Sequence, residues 1–179
     1  MTKRNFETLN HILDSAKELG LSKSEFSQVG PTQWDSVLQD VIRNFTSFEF
    51  NGLSWPWDHY KGTSTLWLWE YFREPRFSFC PKDSATNYGI LQSLLPVDTL
   101  VWLVTEDSSR MKKNGNFWVL QGNYGSVLDV LWNCHPMEFY IVDRAYQWLL
   151  AENHHNYLIG VGDEIVEKLK CASQDSKRR

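Results

Sequence analysis

The sequence predicts an α+β fold in a single domain, with a mainly antiparallel sheet of five to seven strands and about five helices packed around it. A chain of 179 residues fits one domain and can bury a sizeable core. Stretches with apolar residues three or four apart, typical of helices, are interspersed with stretches rich in aromatic and β-branched residues. Near the C terminus, three strand-like runs follow one another across short polar joints. We place the domain at residues 1–172 and predict a disordered basic tail at residues 173–179.

Five helices are predicted from apolar spacing and from residues that favour helix ends. Gly20 supplies the left-handed conformation that ends a first helix, and Pro31 is suited to the first turn of a second. Ser22 and Glu25 have the spacing of a capping box, which predicts a short helical turn running up to Gly30. The five predicted helices cover residues 5–20, 31–45, 84–95 with Asp83 or Ser84 as cap, 124–134, and the segment that follows Gly162 with Asp163 as cap.

The predicted strands are rich in aromatic and branched residues and are bounded by polar or turn-forming residues. The clearest are the three runs of the C-terminal meander, whose last two flank a polar connection of five residues, 152–156. Another hairpin pairs two strands across a charged tip at residues 106–115. The predicted strands cover residues 47–50, 63–70 with an irregular continuation through 71–79 around Pro75, 98–105, 116–121, 139–142, 146–151 and 157–161.

The charge of the chain is negative and unevenly distributed. The net charge is -4, and the last seven residues hold three basic residues against one acidic, so residues 1–172 hold 21 acids against 15 bases. An acidic surface disfavours contact with nucleic acid phosphates and favours a basic partner. We therefore expect a protein partner and no nucleic acid ligand.

The cysteines and the N terminus indicate a cytoplasmic protein. Cys80, Cys134 and Cys171 form no Cys-x-x-Cys pair, and three cysteines leave one unpaired under any single disulfide. The first residues lack the apolar core of a signal peptide, and no apolar run approaches the roughly 20 residues that a membrane-spanning helix needs. We expect no membrane association.

The nine tryptophans are the most distinctive feature of the composition. Most of them are expected in the core, but tryptophan is also favoured at the centre of protein interfaces. The stretch Trp55-Pro-Trp57-Asp58-His59-Tyr60 is predicted to be a loop because Pro56 disfavours helix at the residue before it. Its aromatic side chains either fold back onto the sheet or present a contact surface beside Asp58 and His59.

The polar turn Glu152-Asn153-His154-His155 offers a second set of candidate binding residues. Asparagine side chains in such a turn commonly bond backbone groups, and this is the simplest interpretation. A metal site using His154, His155 and Glu152 is the alternative. It would need ligands from elsewhere in the fold, because neighbouring residues on an extended chain point apart. We expect neither a bound metal nor another cofactor.

Other kinds of chemistry have weak signatures in the chain. No Gly-x-Ser-x-Gly, His-Glu-x-x-His or phosphate-loop motif is present, and we assign no catalytic residue. Gly160-Val-Gly162 lacks the third glycine of a dinucleotide-binding turn and follows a meander. Cys134 beside His135 is a poor nucleophilic pair, since adjacent residues seldom adopt that geometry.

The segment 139–162 carries a resemblance to known proteins. Its Trp-Leu pair, Glu-Asn-His-His turn and glycine-ended strand resemble an uncharacterised bacterial domain family. This segment also resembles, more loosely, α+β immunity proteins that protect bacteria from polymorphic toxins, including the Smi1/Knr4-like group. That resemblance implies a binding protein without catalysis.

These observations together favour an immunity-type protein that neutralises a basic toxin domain by occluding it. Its predicted contact residues are Trp55, Trp57, Asp58, His59, Tyr60, Glu152, Asn153, His154 and His155. Candidate carboxylates for a basic partner are Asp35, Asp40, Asp58, Glu70, Asp143 and Glu152. Two alternatives stay open: a metal- or histidine-dependent enzyme using the His154/His155 turn, and a self-associating scaffold domain. The oligomeric state stays open as well.

Overall fold

The computed structural model describes residues 7–47, 67–106, 117–134 and 138–178 of the chain. Within them lie five α-helices and one seven-stranded antiparallel sheet, which confirms the predicted α+β fold. The helices are α1 (Glu7–Glu18), α2 (Pro31–Phe45), α3 (Ser84–Leu94), α4 (Tyr124–Cys134) and α5 (Asp163–Arg178). The strands are β1 (Phe26–Gln28), β2 (Arg76–Phe79), β3 (Leu100–Glu106), β4 (Phe117–Asn123), β5 (Phe139–Asp143), β6 (Leu149–Glu152) and β7 (Leu158–Val161).

The sheet has the order β1-β4-β3-β5-β6-β7-β2, and every neighbouring pair is antiparallel. The β3–β4 hairpin and the β5–β6–β7 meander are adjacent through the β3–β5 pair, so the two predicted antiparallel units form the centre of the sheet. Strands β1 and β2, three and four residues long, form its edges. Short edge strands limit unwanted pairing with other chains.

Both faces of the sheet are covered, which gives two cores. Helices α1, α3, α4 and α5 cover one face, where their apolar side chains meet those of alternate strand residues such as Leu103, Ile141 and Leu150. Helix α2 and the segment around Leu68 cover the other face, above residues such as Val104 and Tyr140. Because strand side chains alternate between faces, neighbouring residues of one strand belong to different cores. None of the described helices is long and apolar enough to cross a membrane.

The predicted helical turn after Ser22 forms only up to Glu25 and does not continue towards Gly30. The Glu25 carboxylate does accept hydrogen bonds from the backbone N–H and the hydroxyl of Ser22, at 2.9 and 2.6 Å. However, these bonds close only one turn, after which Phe26 enters β1 and pairs with Gly122 of β4. Burial of Phe26 and backbone pairing outweigh the local helix signal.

The predicted strand at residues 63–70 is wrong in its described part. Leu68–Tyr71 forms a 3-10 helix, which we call the 3-10 segment, and residues 63–66 lie outside the described part of the chain. Leu68 is fully buried on the second face, whereas Trp67 and Trp69 on either side of it are half-buried. Alternating tryptophans and leucines fit a strand, but a tight helix with one buried leucine satisfies the same burial pattern.

Two other predicted segments differ from the structure. Helix α5 continues through Arg178, so residues 173–178 are helical where a disordered tail was predicted. The run 146–151 forms a strand only from Leu149, because Tyr146 adopts a positive φ of 55° in a turn closed by its N–H bond to the Asp143 carbonyl. Of the strand predicted at 47–50, residues 48–50 are outside the described part.

Gly162 provides a test of the joint between the meander and α5. Its φ is +100°, and a Cβ there would lie 2.5 Å from the carbonyl oxygen of Gln147. We predict that Gly162→Ala lowers the free energy of unfolding by more than about 1 kcal/mol. Gly89→Ala, in open space within α3, is the matched control and should raise it by about 0.5–1 kcal/mol. Urea denaturation measures both; equal effects of the two substitutions would contradict the packing described.

Candidate functional site

The buried side chain of Asn153 bonds backbone N–H groups of the turn between β6 and β7. The Asn153 side chain is only 4% exposed, and its Oδ1 accepts hydrogen bonds from the N–H groups of His155 and Tyr157, both at 3.0 Å. Asn156 has a positive φ of 60° and donates its N–H to the carbonyl of Asn153 at 2.8 Å. This confirms the predicted side-chain bonding for Asn153, whereas Asn156 contributes its backbone conformation and its N–H.

Glu138, the residue before β5, is a buried carboxylate at the same end of the sheet. It is only 2% exposed. One carboxylate oxygen accepts a hydrogen bond from the hydroxyl of Tyr140, and the other lies 2.9 Å from Nδ1 of His154. Its backbone carbonyl accepts a bond from the hydroxyl of Thr105 at 3.1 Å. A buried carboxylate without such partners would be costly, so these contacts fix Glu138 and its neighbours together.

Trp69 of the 3-10 segment and Trp67, the residue before that segment, pack against the histidines of the turn. The Trp67 ring centroid lies 4.8 Å from that of His154, and the Trp69 centroid lies 5.9 Å from His154 and 6.0 Å from His155. The two indoles stack on each other at 6.2 Å, and the two imidazoles are 4.1 Å apart. We call Trp67, Trp69, His154 and His155 the histidine–tryptophan cluster.

The cluster is partly exposed to solvent and lies beside residues of the second core. The His154 side chain is 20% exposed, His155 is exposed, and both tryptophans are half-buried. Leu68, between the tryptophans, is buried in the second core, where Phe72 and Phe117 pack edge-on against Tyr140. Nε1 of Trp69 is buried and has no hydrogen-bond partner in the described part of the chain. Such orphan donors are rare in folded proteins and mark positions of interest.

The Glu138–His154 contact fixes the direction in which the imidazole points. With Nδ1 bonded to a carboxylate, the proton is assigned to Nδ1, and Nε2 then carries the lone pair. This is the arrangement that orients a histidine for proton transfer or for metal binding. A metal would need further ligands, and among the described residues no group of three or more histidine, cysteine, aspartate or glutamate side chains could hold one.

Glu152 lies on the opposite face of the sheet from His154. It pairs with Phe139, and directly opposed residues of paired strands share a face. Phe139 belongs to the core covered by four helices, and Asn87 of α3 donates a hydrogen bond to the Glu152 carboxylate. Burial raises the pKa of Glu152 above its ordinary value, and the bond from Asn87 opposes that shift. The hypothetical set of Glu152, His154 and His155 is therefore not assembled, and Glu138 is the carboxylate beside His154.

The other predicted site residues are distributed as follows. Trp55, Trp57, Asp58, His59 and Tyr60 lie outside the described residues. Asp35 and Asp40 lie on α2, where Asp40 pairs with Arg43 at 3.0 Å; Glu70 is exposed on the 3-10 segment; Asp143 ends β5 at the far end of the sheet from Glu138. Of the described carboxylates, Asp35, Asp40 and Glu70 lie on the elements that cover the second face, whereas Glu152 faces the core covered by four helices.

The weaker chemical hypotheses gain no support from the structure. Burial raises the pKa of Cys134 to about 11, which keeps the thiol protonated and unreactive, and His135 lies outside the described residues. A Cβ on Gly160 would lie 3.3 Å from side-chain atoms of Ile165 and Leu169. That glycine allows α5 to pack closely on β7.

Glu152 predicts a specific dependence of stability on pH. Because its pKa is raised in the folded state, the unfolded chain loses its proton first as pH rises, and stability falls through that window. Glu152→Gln keeps an acceptor for Asn87 and removes the ionisation. We expect the variant to gain stability over the wild type at neutral pH and to lose that gain below the ordinary pKa of 4.5.

Glu70→Gln, at an exposed position, is the control and should change stability by less than about 0.5 kcal/mol at either pH. Denaturant unfolding at neutral and acid pH measures all three proteins. A stability difference between Glu152→Gln and wild type that is independent of pH would contradict the inward placement of Glu152.

Comparison with protein-family models gives one finding. The model of a family of unknown function, DUF6756, matches residues 7–173 of the chain. The match covers both cores of the sheet, the 3-10 segment and the histidine–tryptophan cluster. No curated protein and no solved structure matches the chain. Since the family model spans nearly the whole sequence, the chain belongs to the DUF6756 family.

Proposed function

We propose that the protein is a cytoplasmic, immunity-type binding protein that occludes a basic partner, most simply a toxin domain, through the histidine–tryptophan cluster. The observation that carries this proposal is the cluster itself: two tryptophans and two histidines, partly exposed, held in fixed positions by Glu138, Tyr140 and Leu68. Tryptophan is enriched at the energetic centres of interfaces, particularly where the side chain needs little ordering on binding.

The charge of the chain supports a basic partner. Residues 1–172 hold an excess of six acidic side chains, which raises the rate of encounter with a basic protein. The resemblance of the segment 139–162 to immunity proteins points the same way. Glu152 and Asn153 have internal hydrogen bonds in the described structure, so they act by supporting the cluster, and His154 and His155 make the contact.

A histidine-dependent enzyme is the second candidate function, and one observation favours it. The Glu138 carboxylate holds Nδ1 of His154, which leaves Nε2 as the proton-accepting nitrogen of a half-buried ring. A histidine oriented in this way can act as a general base. The two functions differ in a property that can be measured. An enzyme converts a substrate chemically in the absence of a protein partner, whereas a binding protein converts none.

Substitutions in the cluster test the binding function. The wild type and each variant are tagged and incubated with lysate of the native host, and captured proteins are quantified by mass spectrometry. A stoichiometric basic protein should bind the wild type and be released by raised salt. Trp67→Leu and His155→Ala should each weaken that complex by about 2 kcal/mol, because they remove central aromatic contacts.

Trp132→Leu provides the matched control. Trp132 is 41% exposed on α4, which covers the other face of the sheet, so its loss should leave the complex within about 0.5 kcal/mol of the wild type. Circular dichroism of each variant verifies that it is folded. A partner whose binding is insensitive to both cluster substitutions, or is weakened equally by Trp132→Leu, would contradict the proposal.

A further inference from the structure

Arg144 follows β5 directly, at the opposite end of that strand from Glu138, and its side chain lies over Trp102 of β3. The guanidinium carbon is 3.4 Å from the centre of the Trp102 ring, and the indole is buried. Nη1 of Arg144 donates a hydrogen bond to Oε1 of Gln121 at 3.0 Å. Gln121 is opposite Trp102 in the β3–β4 pair, and its Nε2 donates to the hydroxyl of Ser27 in β1 at 3.3 Å. Stacking and a hydrogen bond therefore position the same guanidinium.

The guanidinium of Arg144 has no anionic partner in the described part of the chain. None of the ion pairs there includes it. The adjacent carboxylate, Asp143, accepts a hydrogen bond from the N–H of Gln147 at 3.2 Å, and Asp40 of α2 pairs with Arg43 at 3.0 Å. Since Arg144 is exposed and bonds Gln121 through Nη1, its Nε and Nη2 donors are left for a group from outside the chain.

The electrostatic surroundings of Arg144 favour an anion of low charge. Burial lowers the pKa of its guanidinium, because a partly buried cation loses hydration that no carboxylate of the described chain replaces. Burial and the charge of Asp40 raise the pKa of the Tyr146 phenol, whereas Arg144 lowers it, so the phenol is within electrostatic range of both charges. Asp40 and Asp143 add negative charge to this region. A singly charged anion therefore meets less repulsion here than a doubly charged one.

We propose that Arg144, positioned over Trp102, is the binding site for a carboxylate group. A carboxylate is flat and carries a single charge, and its two oxygens match the two parallel N–H donors of Nε and Nη2. Because the indole and Gln121 already order this long side chain, little further ordering is required when the anion binds. The carboxylate belongs either to a small free acid or to an acidic side chain of a protein. This site is separate from the histidine–tryptophan cluster and does not depend on the function proposed for it.

Titration with sodium acetate tests the site, at an ionic strength held constant with sodium chloride. Acetamide is the uncharged analogue, and inorganic phosphate, at a pH where most of it is doubly charged, is the competing anion. The arginine Nε–H and tryptophan Nε1–H resonances are followed in nitrogen-15 NMR spectra. We expect saturable shifts for Arg144 and Trp102 at acetate concentrations that leave Arg43 and Arg76 unchanged, because those two arginines have carboxylate partners within the chain. Acetamide should give no saturable shift, and phosphate should bind more weakly than acetate.

Two variants of Arg144 separate binding from a merely structural role, with the Trp102 resonance as the reporter. Arg144→Gln removes the charge and should abolish the saturable shift. Arg144→Lys keeps the charge without the flat pair of donors and should weaken acetate binding about two- to fivefold. Arg76→Gln makes the same exchange at an exposed position on the far edge strand β2, and it should bind acetate as the wild type does. The remaining amide resonances verify that each variant is folded.

A further probe, N-acetylglutamic acid α-amide, distinguishes the two sources of the carboxylate, because its side-chain carboxylate is its only charged group. Tighter binding of this probe than of acetate assigns the site to an acidic side chain of a protein, and equal or weaker binding assigns it to a small free acid. Equal shifts with acetate and acetamide, tighter binding of phosphate than of acetate, or unchanged acetate binding in Arg144→Gln would overturn the proposal.

Discussion

The buried carboxylate of Glu138 is the constraint on which the candidate site depends. Its two oxygens bind side chains from different parts of the chain, the Tyr140 hydroxyl within β5 and the His154 imidazole in the β6–β7 turn. Leaving either oxygen unpaired at this depth would carry a penalty of about 1–3 kcal/mol or more. Hydrogen bonds through Glu138 therefore connect the turn to the start of β5. The histidine–tryptophan cluster depends on this connection, because Trp67 and Trp69 pack against the imidazole ring that Glu138 holds.

The side chains of the polar turn Glu152–His155 make internal contacts on both faces of the sheet. Glu152 projects towards α3 and bonds Asn87 within the larger core, whereas His154 projects to the other face and reaches Glu138. Asn153, between them, bonds the backbone of the turn. A stretch of four polar residues thus supplies one internal contact on each face and one exposed residue, His155. In the proposed function the histidines of this turn make the contact, whereas Glu152 and Asn153 bond groups within the described structure.

The sequence predicted the regular elements well, because their signals are local and strong. The apolar stripe of α2, the Asp83 cap of α3, whose carboxylate accepts the Thr86 N–H at 2.7 Å, and the meander are all present. Local signals failed where long-range pairing outweighed them: the capping bonds at Ser22 exist, yet Phe26 joins β4. Leu68 was assigned to a strand because alternation alone does not distinguish a strand from a short 3-10 turn.

The sequence predicts only part of the site. The adjacent histidines indicate His154 and His155 as candidate site residues, but the nearest carboxylate in the sequence, Glu152, is not the one that contacts them. The true neighbour, Glu138, is 16 residues away and is brought there by β5–β6 pairing. One signal was present: Glu138 and Tyr140 are two residues apart at the start of an extended run, which places both on one face. Trp67 lies in a stretch that the sequence predicts to be a strand, and that prediction gives no indication of its contact with His154.

The most direct test of this account is the protonation pattern of the His154 ring, read from long-range proton–nitrogen correlation spectra of the imidazoles at a pH where they are neutral. If the Glu138 carboxylate accepts a bond from His154, that ring carries its proton on Nδ1 and leaves Nε2 bare. The exposed His155, which has no carboxylate bonded to its ring in the described structure, serves as the internal reference. A His154 ring protonated on Nε2, with a pattern matching that of His155, would contradict the account.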